Sequence, residues 1–371
     1  PTAAAPAAAS PETAAPAAAT SVPAARATGP QSLRQIYAER SGGIVEVRAT
    51  GTSRAGGSGG FPNSGPSSAQ GSGVVIDASG HILTNAHVID GESTVTVAFA
   101  DGSTAPAKVV GRDDSTDLAL LDVDVPASRL HPVPLGSSAA LHVGDWVMAI
   151  GDPFGYDRSA SVGIVSGLGR QIQALNGFTI SGAIQTDAAI NHGSSGGALL
   201  DDRGRLIGIT AQIADSGVDG NVGVGFAIPV DTARRVVDQL ERGGKVAHAW
   251  LGISGADAAQ VAAQTGSGPD RGAVVTGIVA GGPAAKAGLR AGSASGAGTT
   301  PGAAACAGAD VITAVDGRQI SGMGDLQQAV SAAAPGTTVT FTVTGADGSS
   351  RQVKVTLEAQ PTSAPEPQTG C

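Results

Sequence analysis

Short apolar runs separated by turn-forming residues recur through the middle of the chain. A first group lies between Gly73 and Val123 and consists of the runs GVVI, HILT, TVTVAF and LALLDV. A second group lies between Asp145 and Ile228 and consists of DWVMAIG, SVGIVSGL, GAIQTD, GRLIGIT and VGVGFAI. Gly, Asp and Ser are frequent in the connections. Short runs at this spacing predict antiparallel strands arranged as a barrel or a sandwich.

The segments that flank these groups have other patterns. Gln31–Arg40 is a candidate short helix, and Ile44–Thr50 has the alternation of a half-buried strand. Residues 51–70 are rich in Gly, Ser and Pro and are predicted to form a loop. Asp231–Arg242 opens with an acidic first turn, spaces its apolar residues helically and is followed by two glycines. We expect a helix there and a domain boundary just after it.

The last part of the chain predicts a small mixed β/α domain. Its strand candidates are WLGIS, GAVVTGIV, ADVITAVDG, TTVTFTV and RQVKVTL, and its helix candidates are Pro283–Gly288 and Gly324–Ala334. A low-complexity insertion at residues 291–308 interrupts it. The predicted organisation is therefore a disordered Ala/Pro-rich spacer at 1–31, a first domain at 32–243, a second domain at 244–358 and a disordered tail at 359–371.

Composition favours a mostly β protein with two domains. The chain has 371 residues, too many for one ordinary core. It has 56 Gly, and only 3% of its residues are aromatic. The cores must therefore be filled mainly by Val, Ile, Leu and Ala, in short elements joined by tight turns.

Charge and targeting patterns limit the partners. The formal net charge is −9 and no long run of Lys or Arg occurs, so nucleic acid is not an expected partner. No apolar run is long enough to span a membrane. The first thirty residues hold 14 Ala and 6 Pro, which suits a spacer beyond a removed signal or anchor. Any membrane contact is then expected only through a segment absent from this sequence.

The two cysteines, Cys306 and Cys371, are too few for a disulfide scaffold and lack the paired spacing of a zinc site. One bridge between them and two free thiols both remain open. We expect no metal and no organic cofactor.

The strongest local sign of chemistry is the segment Gly193-Ser194-Ser195-Gly196-Gly197, which lies between two apolar segments. Glycines on both sides of a serine permit tight backbone geometry and leave the hydroxyl open to a substrate. They also let neighbouring N–H groups point at one place, as an oxyanion hole requires. A Gly/Ser turn without chemistry has the same composition, so the segment alone does not decide.

A serine nucleophile needs a base and an acid that orients the base. His87 follows the run LTNA at the end of a predicted strand, where a side chain can face a cleft. Asp117, in STDLAL, leads directly into an apolar strand. Considered alone, each of these residues would more often have a structural role.

The three candidates occur in the order His, Asp, Ser, as in chymotrypsin-like proteases. They lie within an ordered series of segments that resembles the protease domain of the HtrA/DegP family over about residues 40–240. The segments are GSGVVID, ILTNAHV, DSTDLALL, VGDWVMAIGDPFG, SVGIVSGL, IQTDAAIN, GSSGGALL, GRLIGI and GVGFAIPV. The resemblance implies a trypsin-like double antiparallel β-barrel, with His87 as general base, Asp117 as orienting acid and Ser195 as nucleophile. It also implies an oxyanion hole formed by the backbone N–H groups of Gly193 and Ser195.

Two positions depart from the family's usual Asn-Pro-Gly-Asn-Ser-Gly-Gly. His192 stands in place of Pro, and Ser194 stands in place of the second Asn. The loss of a stiffening ring and of a bracing amide predicts an oxyanion hole that is less rigid at rest. We interpret His192 as a residue at the rim of the site, not as a second base.

The residues before the nucleophile indicate substrate preference. Trypsin-like enzymes that cut after basic residues carry an acid six positions before the nucleophile, and here that position is Ala189, followed by Ile190. With Ile209 nearby, we predict a small apolar pocket that prefers Val, Ala or similar residues at the cleavage point.

The part from Ala249 to Leu357 resembles a PDZ domain, which members of the family carry after the protease domain. The segment Trp250-Leu251-Gly252-Ile253 matches the loop and strand whose N–H groups bind the C-terminal carboxylate of a peptide. Trp250 would equally suit a buried anchor between the domains.

The resemblance implies an ATP-independent HtrA-type serine endopeptidase that degrades unfolded or damaged proteins of the bacterial cell envelope, in the periplasm or outside the cell. Expected partners are unfolded polypeptides, C-terminal peptides at the PDZ-like domain and further copies of the chain in a trimer. The alternative is a chaperone or PDZ scaffold whose protease site is idle or conditionally active, which Ser194 and a flexible loop favour. A hydrolase for small esters fits less well, because a PDZ-like domain is made for peptides.

Overall fold

A computed structural model describes residues 32–52, 66–152, 158–174, 176–211, 223–265, 268–294, 306–345, 347–366 and 368–369. The predicted spacer at 1–31 lies outside these ranges.

A short helix and a six-stranded barrel form the first part of the first domain. Ser32 caps the helix α1 (Leu33–Arg40) by accepting a hydrogen bond from the backbone N–H of Gln35. The strands are β1 (Ile44–Thr52), β2 (Pro66–Val75), β3 (His81–Thr84), β4 (Thr94–Ala98), β5 (Thr104–Asp113) and β6 (Leu118–Val123). They close into an antiparallel barrel in the order β1-β2-β3-β6-β5-β4. Its interior is filled by small aliphatic residues such as Val47, Val97 and Leu121.

A second barrel repeats this strand order. Its strands are β7 (Trp146–Gly151), β8 (Ser159–Gln173), β9 (Thr179–Thr186), β10 (Ala198–Leu200), β11 (Leu206–Ala211) and β12 (Gly225–Pro229). They close in the order β10-β11-β12-β9-β8-β7. The predicted double antiparallel β-barrel is therefore confirmed, and the sandwich that the strand pattern left open is not formed.

The two barrels share a buried seam. Leu118 and Leu120 from the first barrel and Ile150 and Ile209 from the second belong to one core cluster. Side chains on adjacent strand positions point to opposite faces, so each barrel can fill its own interior and still contribute to this seam.

Helix α2 (Val230–Gly243) covers the same seam. Its buried residues are Val230, Ala233, Val236, Val237 and Leu240, which lie on one helical face. The helix ends at Gly244, whose φ of 68° is the left-handed conformation that glycine adopts without strain. The predicted helix at 231–242 is thus present, one residue longer at each end.

The second domain is a five-stranded sheet with two-residue additions and three helices. In chain order its elements are β13 (Ala249–Trp250), β14 (Ile253–Asp257), α3 (Ala258–Thr265), β15 (Ala273–Ile278), α4 (Pro283–Lys286), β16 (Ser293–Ala294), β17 (Cys306–Ala307), β18 (Val311–Val315), β19 (Arg318–Gln319), α5 (Met323–Ala332), β20 (Thr338–Thr344), β21 (Ser350–Thr356), β22 (Glu358–Ala359) and β23 (Gln368–Thr369). The main sheet has the order β14-β15-β18-β20-β21. Phe341 lies fully buried in its core.

Two segments differ from the sequence-based expectation. β2 begins at Pro66, inside the stretch predicted to be a loop, because it pairs with β1 as far as Thr52. The tail predicted to be disordered instead makes β22, which pairs with β13, and β23, which pairs with β15. Its partners are distant in sequence, and therefore its own Pro-rich pattern gave no sign of them.

The insertion predicted at 291–308 begins and ends as a two-stranded ribbon, since β16 pairs with β17. The described residues do not include 295–305, the side chain of Cys306 or Cys371. A bridge between the two cysteines therefore stays a prediction, as do two free thiols. Within the described ranges, no helix has both the length and the apolar character needed to cross a membrane.

Candidate active site

His87 lies in a single 3-10 turn, Ala86–Ile89, that directly follows β3. The neighbours Ala86, Val88 and Ile89 are buried, which anchors the turn in the barrel. The His87 side chain itself keeps 30% of its surface exposed, so it can reach a bound substrate.

Asp117 is the last residue of the turn between β5 and β6. Its φ of 54° is unusual for a residue with a side chain, but Asp tolerates this conformation better than most residues do. Its carbonyl oxygen accepts hydrogen bonds from Asn85 Nδ2 at 2.8 Å and from the Ala86 N–H at 3.2 Å. These contacts tie the Asp117 turn to the His87 turn.

The two side chains meet as a base and its orienting acid require. His87 Nδ1 lies 2.8 Å from Asp117 Oδ2, and the backbone N–H of His87 donates to Asp117 Oδ1 at 3.0 Å. Both carboxylate oxygens are therefore directed at one residue. With the Nδ1 proton held by Asp117, Nε2 of His87 is the nitrogen left to accept a proton from a nucleophile.

Ser195 belongs to the second barrel, where it lies in the loop that leads into β10. Gly193 and Gly196 have φ values of 87° and 84°, so the glycines on both sides of the serine are used for conformations that other residues rarely adopt. Ser195 is 3% exposed. His192 is exposed at the rim, as predicted from its neighbours in sequence.

Strand β2 brings the serine loop and the histidine turn together. A Cβ atom placed on Gly71 would lie 2.7 Å from a Cγ atom of Val88 and 3.0 Å from the carbonyl oxygen of Ser195. Because position 71 is glycine, both Val88, which follows His87, and the Ser195 carbonyl can pack closely against β2.

Ser72, which the sequence analysis did not single out, braces the serine loop. Its buried hydroxyl donates to the Gly193 carbonyl at 2.7 Å and accepts from the Asp152 N–H at 2.8 Å. Its backbone N–H donates to the Ser195 carbonyl at 2.7 Å, and its carbonyl accepts from Thr84 Oγ1 at 2.7 Å. A serine between glycines in GSGVVID was the available signal, but its partners are remote in sequence.

Thr210 braces the loop from the opposite side. Its Oγ1 donates to the Ser194 carbonyl at 2.5 Å, and its carbonyl accepts from the Gly196 N–H at 2.8 Å. The carbonyls of Gly193, Ser194 and Ser195 are thus all hydrogen-bonded to Ser72 or Thr210. The lower rigidity expected with Ser194 in place of Asn stays a prediction.

The predicted specificity residues fall into two environments. Ala189 is exposed, and its carbonyl accepts a hydrogen bond from Ser161 Oγ at 2.7 Å. Ile190 is buried, and a Cβ on Gly225 would lie 2.8 Å from its Cδ1. Ile209 is 0% exposed and belongs to the seam between the barrels. This full burial does not fit the open pocket predicted for Ile209, because its side chain is enclosed in the core shared by the barrels.

The predicted peptide-binding segment of the second domain borders a groove of about 720 Å³. Trp250, Gly252 and Ile253 line it together with Leu326 of α5. Residues of the first domain, among them Gly177 and Phe178 of the β8–β9 connection, line another part of it, and further residues of the second domain and the tail complete it. Gly252 has a φ of 79°, a conformation that turns the backbone just before β14 begins at Ile253.

Trp250 packs within its own domain. A Cβ on Gly252 would lie 3.2 Å from its indole, and one on Gly282 would lie 3.3 Å from it. Leu251 is buried, and its carbonyl accepts from the Ala284 N–H at 3.0 Å. The tryptophan therefore supports the turn that it precedes.

Among the described residues, side chains able to ligate a metal come together at Asp77, His81 and Glu241. His81 Nδ1 lies 2.6 Å from Asp77 Oδ2 and 3.6 Å from Glu241 Oε1. Burial raises the pKa of Asp77, but hydrogen bonds from the His81 side chain and from the backbone N–H groups of Ser79 and His81 outweigh it and hold this pKa below its usual range. A hydrogen-bonded His–carboxylate pair accounts for the group, which contains no residue of the triad.

Comparison with known proteins identifies both domains. Residues 71–209 match the model of the trypsin-like peptidase domain, and residues 249–357 match that of the PDZ domain. A solved structure of the HtrA-type protease AlgW with a decapeptide has a TM-score of 0.68 and 31% identity, over 89% of this chain and 99% of that one. The chain belongs to the HtrA/DegP family of trypsin-like serine proteases.

Relatives of this HtrA/DegP-family protein occur in bacteria and in chloroplasts. It is 45% identical to Protease Do-like 1, chloroplastic, of Arabidopsis thaliana, over 78% of this chain and 63% of the relative. It is 41% identical to the serine protease PepD of Mycobacterium tuberculosis, over 77% and 60%. It is 39% identical to the periplasmic pH-dependent serine endoprotease DegQ of Escherichia coli, over 79% and 60%. The chain thus spans about three fifths of the length of these relatives.

Proposed function

We propose that this HtrA/DegP-family protein is a serine endopeptidase. The observation that carries the proposal is the 2.8 Å contact between His87 Nδ1 and Asp117 Oδ2, facing a Ser195 loop whose carbonyls are held by Ser72 and Thr210. The relatives named as serine proteases support it.

The reaction follows from these positions. His87 Nε2 takes the proton of Ser195 as its Oγ attacks the substrate carbonyl carbon, and the negative charge that develops on the carbonyl oxygen faces the N–H groups of Gly193 and Ser195. The C–N bond breaks as His87 returns the proton to the leaving amine. Water then hydrolyses the acyl-enzyme by the same proton transfers. Asp117 stays ionised and stabilises the imidazolium.

The second domain indicates the kind of substrate. A groove beside a strand edge and the turn at Gly252 suits a peptide C-terminus added as a strand. We propose unfolded or damaged envelope proteins as substrates, with activity in the periplasm or outside the cell, since several relatives are named periplasmic. We also propose that three copies of the chain assemble as a trimer.

Active-site labelling tests the peptidase proposal. A fluorophosphonate probe is expected to label the wild-type protein on Ser195, as mapped by mass spectrometry, and to leave Ser195→Ala unlabelled. Ser194→Ala is the matched control and should still be labelled, because its hydroxyl is not the nucleophile. Labelling should be measured with and without a C-terminal peptide ligand.

A chaperone or scaffold is the second candidate, favoured by the peptide groove, which needs no proteolysis to bind. Unfolded casein separates the two functions. Degradation by wild type but not by Ser195→Ala supports the peptidase. If wild type and variant both fail to degrade casein, and both suppress its aggregation equally, the binding function is the correct one.

Cleavage preference follows from Ala189, which places no charge where a basic side chain would need one. Profiling with a peptide library is expected to show cleavage mainly after Val, Ala and similar residues. One missing or extra methylene changes the preference by about 10- to 200-fold at most, so the preference should be graded. Cleavage mainly after Arg or Lys would contradict this pocket.

A further inference from the structure

The turn that carries Asp117 is organised by another acid, Asp113, at the end of β5. Asp113 is buried, and its carboxylate accepts hydrogen bonds from Thr116 Oγ1 at 2.5 Å and from the Ser115 N–H at 3.3 Å. Its carbonyl accepts from the Thr116 N–H at 3.3 Å. Asp113 thus holds the residues that immediately precede the catalytic acid.

The Asp113 carboxylate is in turn held by His248, which belongs to the segment joining α2 to the PDZ domain. His248 Nε2 lies 2.8 Å from both carboxylate oxygens of Asp113. The His248 carbonyl accepts from the Gln360 N–H at 2.9 Å, so the backbone of His248 is attached to the tail that follows the PDZ domain. Asp113 and His248 are 135 positions apart in the chain.

Other charged groups at this turn have partners of their own. Arg112 pairs with Asp90 at 2.8 Å and with Asp114 at 2.7 Å. Asn176, in the β8–β9 connection, donates to Ser115 Oγ at 2.9 Å and adds a neutral contact. Of the side chains described at this turn, His248 is therefore the one that joins Asp113 to the segment before the PDZ domain.

We propose that His248 and Asp113 are positioning residues for catalysis. Through Thr116 they set the conformation of the 113–117 turn, and through it the direction of the Asp117 carboxylate towards His87. The inference rests on the proposed peptidase activity. In this proposal the linker, the segment that joins α2 to the PDZ domain, affects the triad through the 113–117 turn, and this effect needs no contact between His248 and the scissile bond.

The structure explains why this turn needs external support. Asp117 adopts a positive φ, which costs free energy unless the surroundings hold it. A small displacement of a catalytic group lowers the rate strongly, because proton transfer depends on its geometry. Ser115, Thr116 and His248 also line the groove beside β14, so the kinetics should use a short substrate that lacks a free C-terminal carboxylate and leaves this groove empty.

Kinetics of His248→Ala test the proposal in the full chain. We expect kcat to fall about tenfold with KM unchanged within about twofold, since a misplaced catalytic group affects the chemical step. His248→Gln should recover much of the loss, because its amide can donate to Asp113. His142→Ala, which removes an exposed histidine paired with Asp145, is the control and should keep the wild-type kcat.

Two further readouts separate positioning from general stability. The downfield proton resonance of His87 Nδ1–H should shift in His248→Ala and return towards its wild-type position in His248→Gln. Asp113→Asn combined with His248→Ala should lose no more activity than the more severe single variant, because both act through one contact. If His248→Ala does not fold, His248→Gln and the resonance decide the question.

The outcomes are distinguishable. Absence of fluorophosphonate labelling in the wild type would overturn the peptidase function itself. A labelled wild type together with an unchanged kcat and an unchanged His87 resonance in His248→Ala would overturn the positioning role alone. A rise in KM without loss of kcat would also contradict it, since it would assign His248 to binding.

Discussion

Replacing Asp117 with Asn is expected to lower kcat about 10⁴-fold while the protein stays folded. Asn can keep its oxygen on the His87 N–H, now 3.0 Å from Asp117 Oδ1, and then presents an NH₂ group to His87 Nδ1. Two donors cannot face each other, so the imidazole must carry its proton on Nε2. In that tautomer it cannot accept the proton of Ser195.

The backbone favours this substitution as a clean test, because Asn adopts the positive φ of position 117 about as readily as Asp does. The Tm should stay within about 2–4 °C, the shift that about 1 kcal/mol produces. Asp114→Asn makes the same chemical change in the same turn and should retain activity. A fall of less than tenfold in Asp117→Asn would remove Asp117 from the triad.

Replacing Ser72 with Ala is expected to lower kcat about 10²-fold, comparable with the loss of one donor from an oxyanion hole. The change removes the hydroxyl that holds the Gly193 carbonyl at 2.7 Å and accepts from the Asp152 N–H at 2.8 Å. The peptide unit after Gly193 then keeps only the hydrogen bond from the Ser194 N–H to the Asn191 carbonyl, so the flanking N–H groups of Gly193 and Ser195 are held less firmly in the direction of the hole. KM should change much less.

Stability should fall as well, since a buried polar group left without a partner costs about 1–3 kcal/mol. Thermal unfolding separates this loss from the catalytic one when kcat is measured well below the lowered Tm. Ser93→Ala is the matched control: its hydroxyl also donates to a backbone carbonyl, that of Thr50, but is exposed and far along the chain from the serine loop. Equal kcat values for Ser72→Ala and Ser93→Ala would show that Ser72 has no part in the hole.

The fold could be predicted because its signals are local. Alternation in the first barrel, Gly-rich turns and the amphipathic period of α2 each depend on residues close in sequence. The elements at Ile44–Thr52, Val230–Gly243 and Pro283–Lys286 match their predictions closely. β2 was predicted too short because its first residues lie in a Gly/Ser/Pro stretch and are ordered by pairing with β1.

The tail likewise could not be predicted from its own residues, because remote segments order it. Residues 359–366 have no apolar period, yet the Gln360 N–H donates to His248 and the Ala364 N–H donates to Asn176. Ile209 shows a similar limit within a strand, because its hydrophobicity alone did not tell that its side chain is enclosed in the core shared by the two barrels.

The sequence by itself predicted His87, Asp117 and Ser195 as candidate catalytic residues in that order, and it predicted the two strand groups and the following PDZ domain, because motifs and periodicities are properties of neighbouring residues. Only the tertiary structure decided that Ser72 and Thr210 hold the serine loop and that His248 reaches Asp113. Each of these contacts joins residues from different elements, and a hydrogen bond between groups so distant in the chain depends on how the barrels and the linker pack. The candidate nucleophile could thus be predicted from its motif together with the family resemblance, whereas the groups that hold its loop in place could be found only in the folded protein.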